Sequence, residues 1–430
     1  MSINRILISS ENYYPIGGGI QQYVKGLSLE LTRRGYKILI LTQYYDQPEV
    51  VEMEEGTVHY SPLMNGSMGE PFRVMGSYKE FARFIKENEV DLVYAINHNS
   101  LALIKASKYA GVPVIYGCHG VGLMCPLKIR FLKPDDSICY NECGYVGCSK
   151  CYRDQLGKLH IWGKIGRLLR YPSLLLKIKK YLDAQRILSS ADARIGNSRL
   201  CASLLRKHEM TFGIPLGIDS NEYEPVDSTG FKARFNIDCD YILVPGRLNY
   251  IKGQEYAIRA LEFIDKDIKL VIAGNASLFG GDPSDLGWYG VKIKGLIASR
   301  GLKNRIVFTG LLNKEEMLQA YSGARVTIVP SVWLETFGYV TVESLCCATP
   351  VVVTENCGSA ECVDNSCGRI IERKNPEAIA NAVREIWDKS DKMGVAGRHK
   401  VTKELNWQTT ADITLEVFDK VSKKYKGGQP

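Results

Sequence analysis

The sequence predicts an α/β protein made of two doubly wound domains that face each other across a cleft. Three observations carry this. The chain has 430 residues, too many for one ordinary core and enough for two domains of about 200 residues each. A rhythm of short apolar strands and amphipathic helices runs through the first half and starts again after residue 235. Between the halves lies a polar stretch, SNEYEPVDSTGFKARF at 220–235, which holds Pro225 and Gly230.

The elements follow in order. RILISSENYY opens as a strand, the glycine cluster PIGGG turns the chain, and IQQYVKGLSLELTRRG reads as an amphipathic helix. YKILILTQYY and VDLVYAI are β-rich, SLALIKASKYAG is helical, and VPVIYGCH returns to strand. Strand, helix and strand at this spacing indicate βαβ units and a parallel sheet. The second half repeats the pattern with YILVPGR, a helix from about Gln254, IKLVIAGN, RIVFTG, RVTIVPS and PVVVT, with helices between. Near-continuous apolar strands are those of a sheet covered on both faces. The expected boundaries are 1–222 for the first domain, with a Cys-rich insertion at 125–151, and 223–406 for the second. The tail, 407–430, is expected to be helical and to pack back near the junction.

Apolar content of 45% and charged content of 24% suit a soluble globular chain. No run approaches the roughly 18 apolar residues that span a bilayer, and the N-terminus lacks the long apolar region of a signal peptide. A cytoplasmic location is therefore expected, where the 13 cysteines are thiols or metal ligands rather than a disulfide framework. The net charge of +8 is concentrated: residues 128–186 hold 13 Lys and Arg against 5 Asp and Glu.

In doubly wound sheets ligands sit at the carboxyl ends of the strands. Gly17, Gly18 and Gly19 stand where a strand turns into a helix, as in a phosphate-binding turn. G-x-G-x-x-G fits poorly there, and a plain tight turn is the competing reading. PGRLNYIKG places Arg247 and Lys252 on one loop at a strand end. Two such cations suit a diphosphate, and each is worth roughly 4 kcal/mol at 4 Å with an effective dielectric near 20; two solvated loop charges are the alternative. In PSVWLETFGYVTVESL, Glu335 lies on a loop where it can accept hydrogen bonds from sugar hydroxyls. Glu343 lies within the following helix, placed to accept both hydroxyls of a ribose. Its neighbours Val342, Leu345 and Cys346 argue against a solvent-facing helix, where an unpaired carboxylate is costly if buried.

Taken in order from residue 14 to about 407, these motifs resemble a retaining GT-B glycosyltransferase of family 4 (glycosyl transferases group 1). Its E-x7-E motif matches Glu335 and Glu343 around Phe337 and Gly338, and its R-x4-K motif matches Arg247 and Lys252. Its P-x-x-G-G element matches Pro15, Gly18 and Gly19. PLGID at 215–219 resembles the family's turn, with Leu216 in place of asparagine. TPVVVT and Glu361 also follow the pattern, although Cys357 replaces a glycine. The resemblance implies two Rossmann-like domains, an acceptor-side one first and a nucleotide-sugar-binding one second. It implies a donor diphosphate held by Arg247 and Lys252 with Gly18 and Gly19, a ribose on Glu343, and a donor sugar on Glu335 and the backbone of Phe337 and Gly338. His119, in VIYGCHG, matches a histidine beside the donor sugar; without the resemblance a lone histidine reads as structural. The implied reaction is transfer of a sugar from a UDP- or GDP-sugar to an acceptor hydroxyl with retention, by front-face displacement. Positive side chains take the place of a catalytic metal in that scheme.

Two features lie outside this pattern. Cys139, Cys143, Cys148 and Cys151, spaced C-x3-C-x4-C-x2-C, suit a structural zinc site; an iron–sulfur cluster fits the spacing less well, and plain thiols are the alternative. Residues 156–188 hold 8 Lys and Arg against 1 Asp in a basic amphipathic pattern. That pattern suits an anionic membrane surface, hence peripheral attachment to the inner membrane face and a lipid-linked or polysaccharide acceptor. Burial of the apolar face inside the domain is the competing reading. A 2-epimerase acting on nucleotide sugars is the alternative on the same fold, disfavoured by R-x4-K with E-x7-E. A metal-knuckle RNA-binding protein is the alternative from another class. It expects aromatics among the basic residues, which are few here, so no nucleic-acid partner is expected.

Overall fold

The computed structural model describes residues 3–14, 18–44, 46–64, 77–97, 100–126, 137–140, 144–157, 171–205, 208–274 and 287–427. The chain forms two compact units, Met1–Gly217 with Trp407–Pro430, and Ile218–Asn406.

The first unit is built on eight strands: β1 (Arg5–Ser9), β2 (Lys37–Thr42), β3 (Glu49–Met53), β4 (Gly56–Tyr60), β5 (Leu92–Ile96), β6 (Val114–Cys118), β7 (Ala193–Gly196) and β8 (Thr211–Gly213). Their order is β3-β4-β2-β1-β5-β6-β7-β8. All pair in parallel except β3, which runs antiparallel to β4. The sequence reading expects parallel pairing throughout. The departure has a local cause, because EVVEMEEGTVHY turns back on itself at Gly56, where φ is +132°. The exposed Glu49 and Glu52 keep charge on that sheet edge, which discourages pairing with another chain.

Ile6, Leu7 and Ile8 of β1 are fully buried. The helix Gly19–Arg33 packs against β2 and β4 and buries Tyr23, Leu27 and Leu31, which recur every fourth residue. Each such Leu or Ile contributes about 1.5–3 kcal/mol over exposure. The helix Trp407–Gly427 belongs to this unit. Trp407 lies against Gly26, where a Cβ would come within 2.1 Å of the indole, and against Gly217. Gly26 is thus a packing glycine that lets an indole reach the helix backbone.

The second unit holds β9 (Tyr241–Pro245), β10 (Lys269–Ala273), β11 (Ile306–Gly310), β12 (Val326–Val329), β13 (Val351–Thr354) and β14 (Gly368–Ile371), ordered β11-β10-β9-β12-β13-β14 and all parallel. The strand order reverses between β9 and β12, so their carboxyl ends diverge into opposite crossovers and open a crevice there. In the first unit the same reversal falls between β1 and β5. Among the described residues, no helix is long and apolar enough to cross a membrane.

Candidate functional site

The loops after β9 and β12 meet at the second unit's switch point. After β9 the chain makes a single 3-10 turn, Tyr250–Lys252, whose start is capped by the Asn249 side chain accepting from the Ile251 amide at 3.2 Å. Gln254 is buried and donates to the Arg247 carbonyl at 2.9 Å, which fixes the loop's entry. Gly253 follows with φ +72°, and a Cβ there would sit 1.9 Å from the Pro330 carbonyl oxygen. The Val332 amide donates to the Ile251 carbonyl at 2.9 Å. Only glycine at 253 permits this approach, so the two loops are joined backbone to backbone.

That junction sets the charges. The Lys252 ammonium donates to Glu335 Oε1. The Ser331 hydroxyl donates to Glu335 Oε2 at 2.6 Å. The Glu335 amide donates to the Asn356 carbonyl at 3.0 Å, and the Gly358 amide donates to the Glu335 carbonyl at 2.8 Å. Asn356 is buried, and its amide group donates to the carbonyls of Ser331 and Trp333. Arg247 is exposed, and its guanidinium has no hydrogen-bond or ion-pair partner among the described residues. Lys252 and Glu335 balance each other, so Arg247 leaves this crevice with a positive charge.

Phe337 is buried, and Gly338, at φ +104°, starts the helix Tyr339–Cys346. Glu343 is half-buried on that helix. Its carboxylate accepts from the Tyr321 hydroxyl at 2.9 Å and the Tyr223 hydroxyl at 3.4 Å. Burial raises its pKa above the usual carboxylate range, while the two hydroxyls and the more distant Lys314 pull it back. Glu361, singled out in the sequence, lies half-buried in the 3-10 turn Gly358–Cys362.

In the first unit, Gly18 and Gly19 open the helix Gly19–Arg33 after β1, with Gly18 extended at its start. Pro15 and Gly17 lie outside the described residues. His119 directly follows β6 and is buried. Its amide donates to Asn97 Oδ1 at 2.9 Å, and its ring lies 4.3 Å from that of Tyr23. Burial lowers its pKa to about 3, so the imidazole is neutral near pH 7 and offers a hydrogen bond rather than a charge.

Sequence reasoning missed Ser331, Asn356, Tyr321 and Tyr223. None carries a spacing signal, since each acts through a partner supplied by another loop or helix. Of the cysteine tetrad, Cys143 lies outside the described residues. Cys148 and Cys151 sit on the helix Tyr145–Gly157, and Cys148 is buried beside Leu174 and Ile178. Among the described residues no group of three or more His, Cys, Asp or Glu side chains is placed to hold a metal ion. The basic stretch 158–170 lies outside them as well.

Comparison with known proteins agrees with this geometry. Residues 17–222 match the family described as Glycosyltransferase Family 4, and residues 228–400 match Glycosyl transferases group 1. An uncharacterised glycosyltransferase of Methanocaldococcus jannaschii is 25% identical, the alignment covering 96% of this chain and 97% of that one. A D-inositol 3-phosphate glycosyltransferase of Acidothermus cellulolyticus is 27% identical over 48% of this chain and 47% of its own. Among solved structures, sucrose-phosphate synthase from Thermosynechococcus elongatus superposes with a TM-score of 0.72 at 19% identity, covering 98% of this chain and 100% of that one. The Anabaena protein HepE, solved in complex with UDP and glucose, gives a TM-score of 0.66 at 19% identity, covering 96% and 99%. With two parallel α/β units matched one after the other along its length, the chain belongs to the family 4 glycosyltransferases of the GT-B fold and is a glycosyltransferase.

Proposed function

We propose that the protein transfers a sugar from a UDP-sugar to an acceptor hydroxyl with retention at the anomeric carbon. The observation that carries this is the joined pair of loops at the β9–β12 switch point, with Arg247, Lys252 and Glu335 on them. Departure of a diphosphate concentrates negative charge on its bridging oxygen. Arg247 and Lys252 are positioned cations that stabilise that charge as it develops. Glu335, with the backbone of Phe337 and Gly338, orients the donor sugar by accepting from its hydroxyls. Glu343, already set by Tyr321, accepts from the ribose. Within the first unit, Gly18 and Gly19 stand at a helix start whose free amides suit an anion, and neutral His119 is able to hydrogen-bond a polar ligand.

Retention follows from a front-face path in which the departing phosphate oxygen takes the acceptor's proton, so Glu335 acts by orientation and not as a nucleophile. Uridine is the preferred base because HepE is solved with UDP and with UDP-glucose; a GDP-sugar is the second candidate. A lipid-linked or polysaccharide acceptor is favoured by the basic stretch 156–188. In its described part, the helix Tyr171–Ser189, Leu175 and Leu176 are exposed near Lys177, Lys179 and Lys180, a composition suited to an anionic bilayer surface.

The test is nucleoside diphosphate release from UDP- and GDP-sugars with membrane lipid extract as acceptor. NMR of the product then assigns its anomeric configuration. UDP release with the donor's configuration kept supports the reading. Inversion, or release from neither donor class, overturns it.

A further inference from the structure

We propose that Glu335 is an internal counter-anion for Lys252, set in place by Ser331, and that the pair lets the site favour a nucleotide sugar over the bare nucleoside diphosphate. This rests on the donor reading above. The side chains of Lys252 and Glu335 are only 22% and 12% exposed, so their attraction is not screened away like that of a surface pair. The carboxylate is held on every side. Ser331 is 1% exposed and donates to Oε2. Its own carbonyl accepts from Thr354 Oγ1 and Asn356 Nδ2, each at 2.9 Å. The Glu335 backbone is pinned through Asn356 and Gly358. Glu335 is thereby prevented from swinging away from Lys252 to leave a free ammonium.

A diphosphate arriving at Lys252 must share the ammonium with this fixed carboxylate, and the two anions repel. A sugar attached to the diphosphate relieves the conflict. Its hydroxyls donate to the Glu335 oxygens and replace what the ammonium gives to phosphate. A bare nucleoside diphosphate brings no such donors and meets the repulsion in full. Arg247, without an internal anion, attracts both equally. Specificity here comes from a repulsive element aimed at the wrong ligand. The wrong ligand is also the product, so the same element speeds its departure.

The experiment is calorimetric titration with UDP on the native protein, Glu335→Gln, Lys252→Ala, the double variant and Ser331→Ala, with melting temperatures recorded. Glu335→Gln keeps the shape and removes the charge. It is expected to bind UDP about tenfold tighter, the order for losing a competing, partly buried ion pair, while turnover of the sugar donor falls. In the Lys252→Ala background, where the carboxylate faces the diphosphate with no ammonium beside it, adding Glu335→Gln is expected to tighten UDP binding at least as much, and the lack of a gain in either background overturns the proposal. Ser331→Ala, which frees the Glu335 carboxylate to rotate, is expected to raise the ratio of donor KM to UDP inhibition constant about threefold, because product binds tighter; it carries the test if Glu335→Gln folds poorly. Equal or weaker UDP binding by Glu335→Gln, with Lys252→Ala weakened, overturns the counter-anion proposal alone. Unchanged binding by Lys252→Ala overturns the donor reading beneath it.

Discussion

Gly253→Ala tests whether the joining of two loops makes the site. The native φ of +72° is left-handed, and an L side chain there costs about 1–2 kcal/mol. The larger effect is contact. The new Cβ would lie 1.9 Å from the Pro330 carbonyl oxygen, which is backbone and cannot rotate aside. Restoring a van der Waals distance of about 3.2 Å requires the loops to part by more than an ångström. That movement strains the Val332 amide to Ile251 carbonyl bond of 2.9 Å, worth about 1 kcal/mol net. Together these give a loss of about 3 kcal/mol, or a fall in Tm of roughly 6–12 °C for a unit of this size. Parting the loops also moves Lys252 against Glu335, and misplacement of about 1 Å costs on the order of a hundredfold in turnover. The assay is differential scanning calorimetry with donor turnover measured well below the melting point. A variant with native Tm and native turnover would show that the two loops are not joined in this way.

Three further outcomes follow from the same geometry. Arg247→Ala should lower kcat/KM about a hundredfold, as for loss of one positioned charge, with its Tm within about 1–2 °C of native because the exposed guanidinium has no partner among the described residues. His119, held near pKa 3 by burial, stays unprotonated in the folded protein while the unfolded chain takes a proton near pH 6.5; native stability should therefore fall by about 1.4 kcal/mol per unit as pH drops from 6.5 toward 3. Denaturant titrations of His119→Gln should lack that component, and an unchanged slope would contradict it. Glu343, raised by burial, binds its proton more tightly folded than unfolded, so it favours the native state at low pH and loses that contribution as pH rises through its folded pKa. Glu343→Gln should thus gain stability relative to native as pH rises above about 4.5, while donor KM rises; a difference independent of pH would refute the assignment.

What could be read from the sequence was what spacing encodes. Arg247 and Lys252 share one βα loop, and Glu335 with Glu343 straddles a helix start, so their placement follows once strand and helix are recognised. The supports of those residues could not be read this way. Glu343 is oriented by Tyr321 and Tyr223, 22 and 120 residues away, and Glu335 by Ser331, on a loop whose carbonyls at Ser331 and Trp333 are held by Asn356. Serine, asparagine and tyrosine are common on loops, and nothing local marks the ones that face inward. Gly26 has no local reason in the sequence; its reason is Trp407, 381 positions later. The β3–β4 hairpin was written in its EEG turn but was hidden by the parallel rhythm around it.

The central claim is that Arg247 and Lys252 hold the diphosphate of a nucleotide sugar. It is tested most directly by titrating the protein with UDP, GDP and ADP, then repeating the titration on Lys252→Ala. The account predicts that UDP binds best of the three and that Lys252→Ala, lowered in Tm by loss of its ion pair to Glu335 but folded at the assay temperature, weakens it at least tenfold. Binding of none of the three, or UDP affinity indifferent to the loss of Lys252, would contradict it.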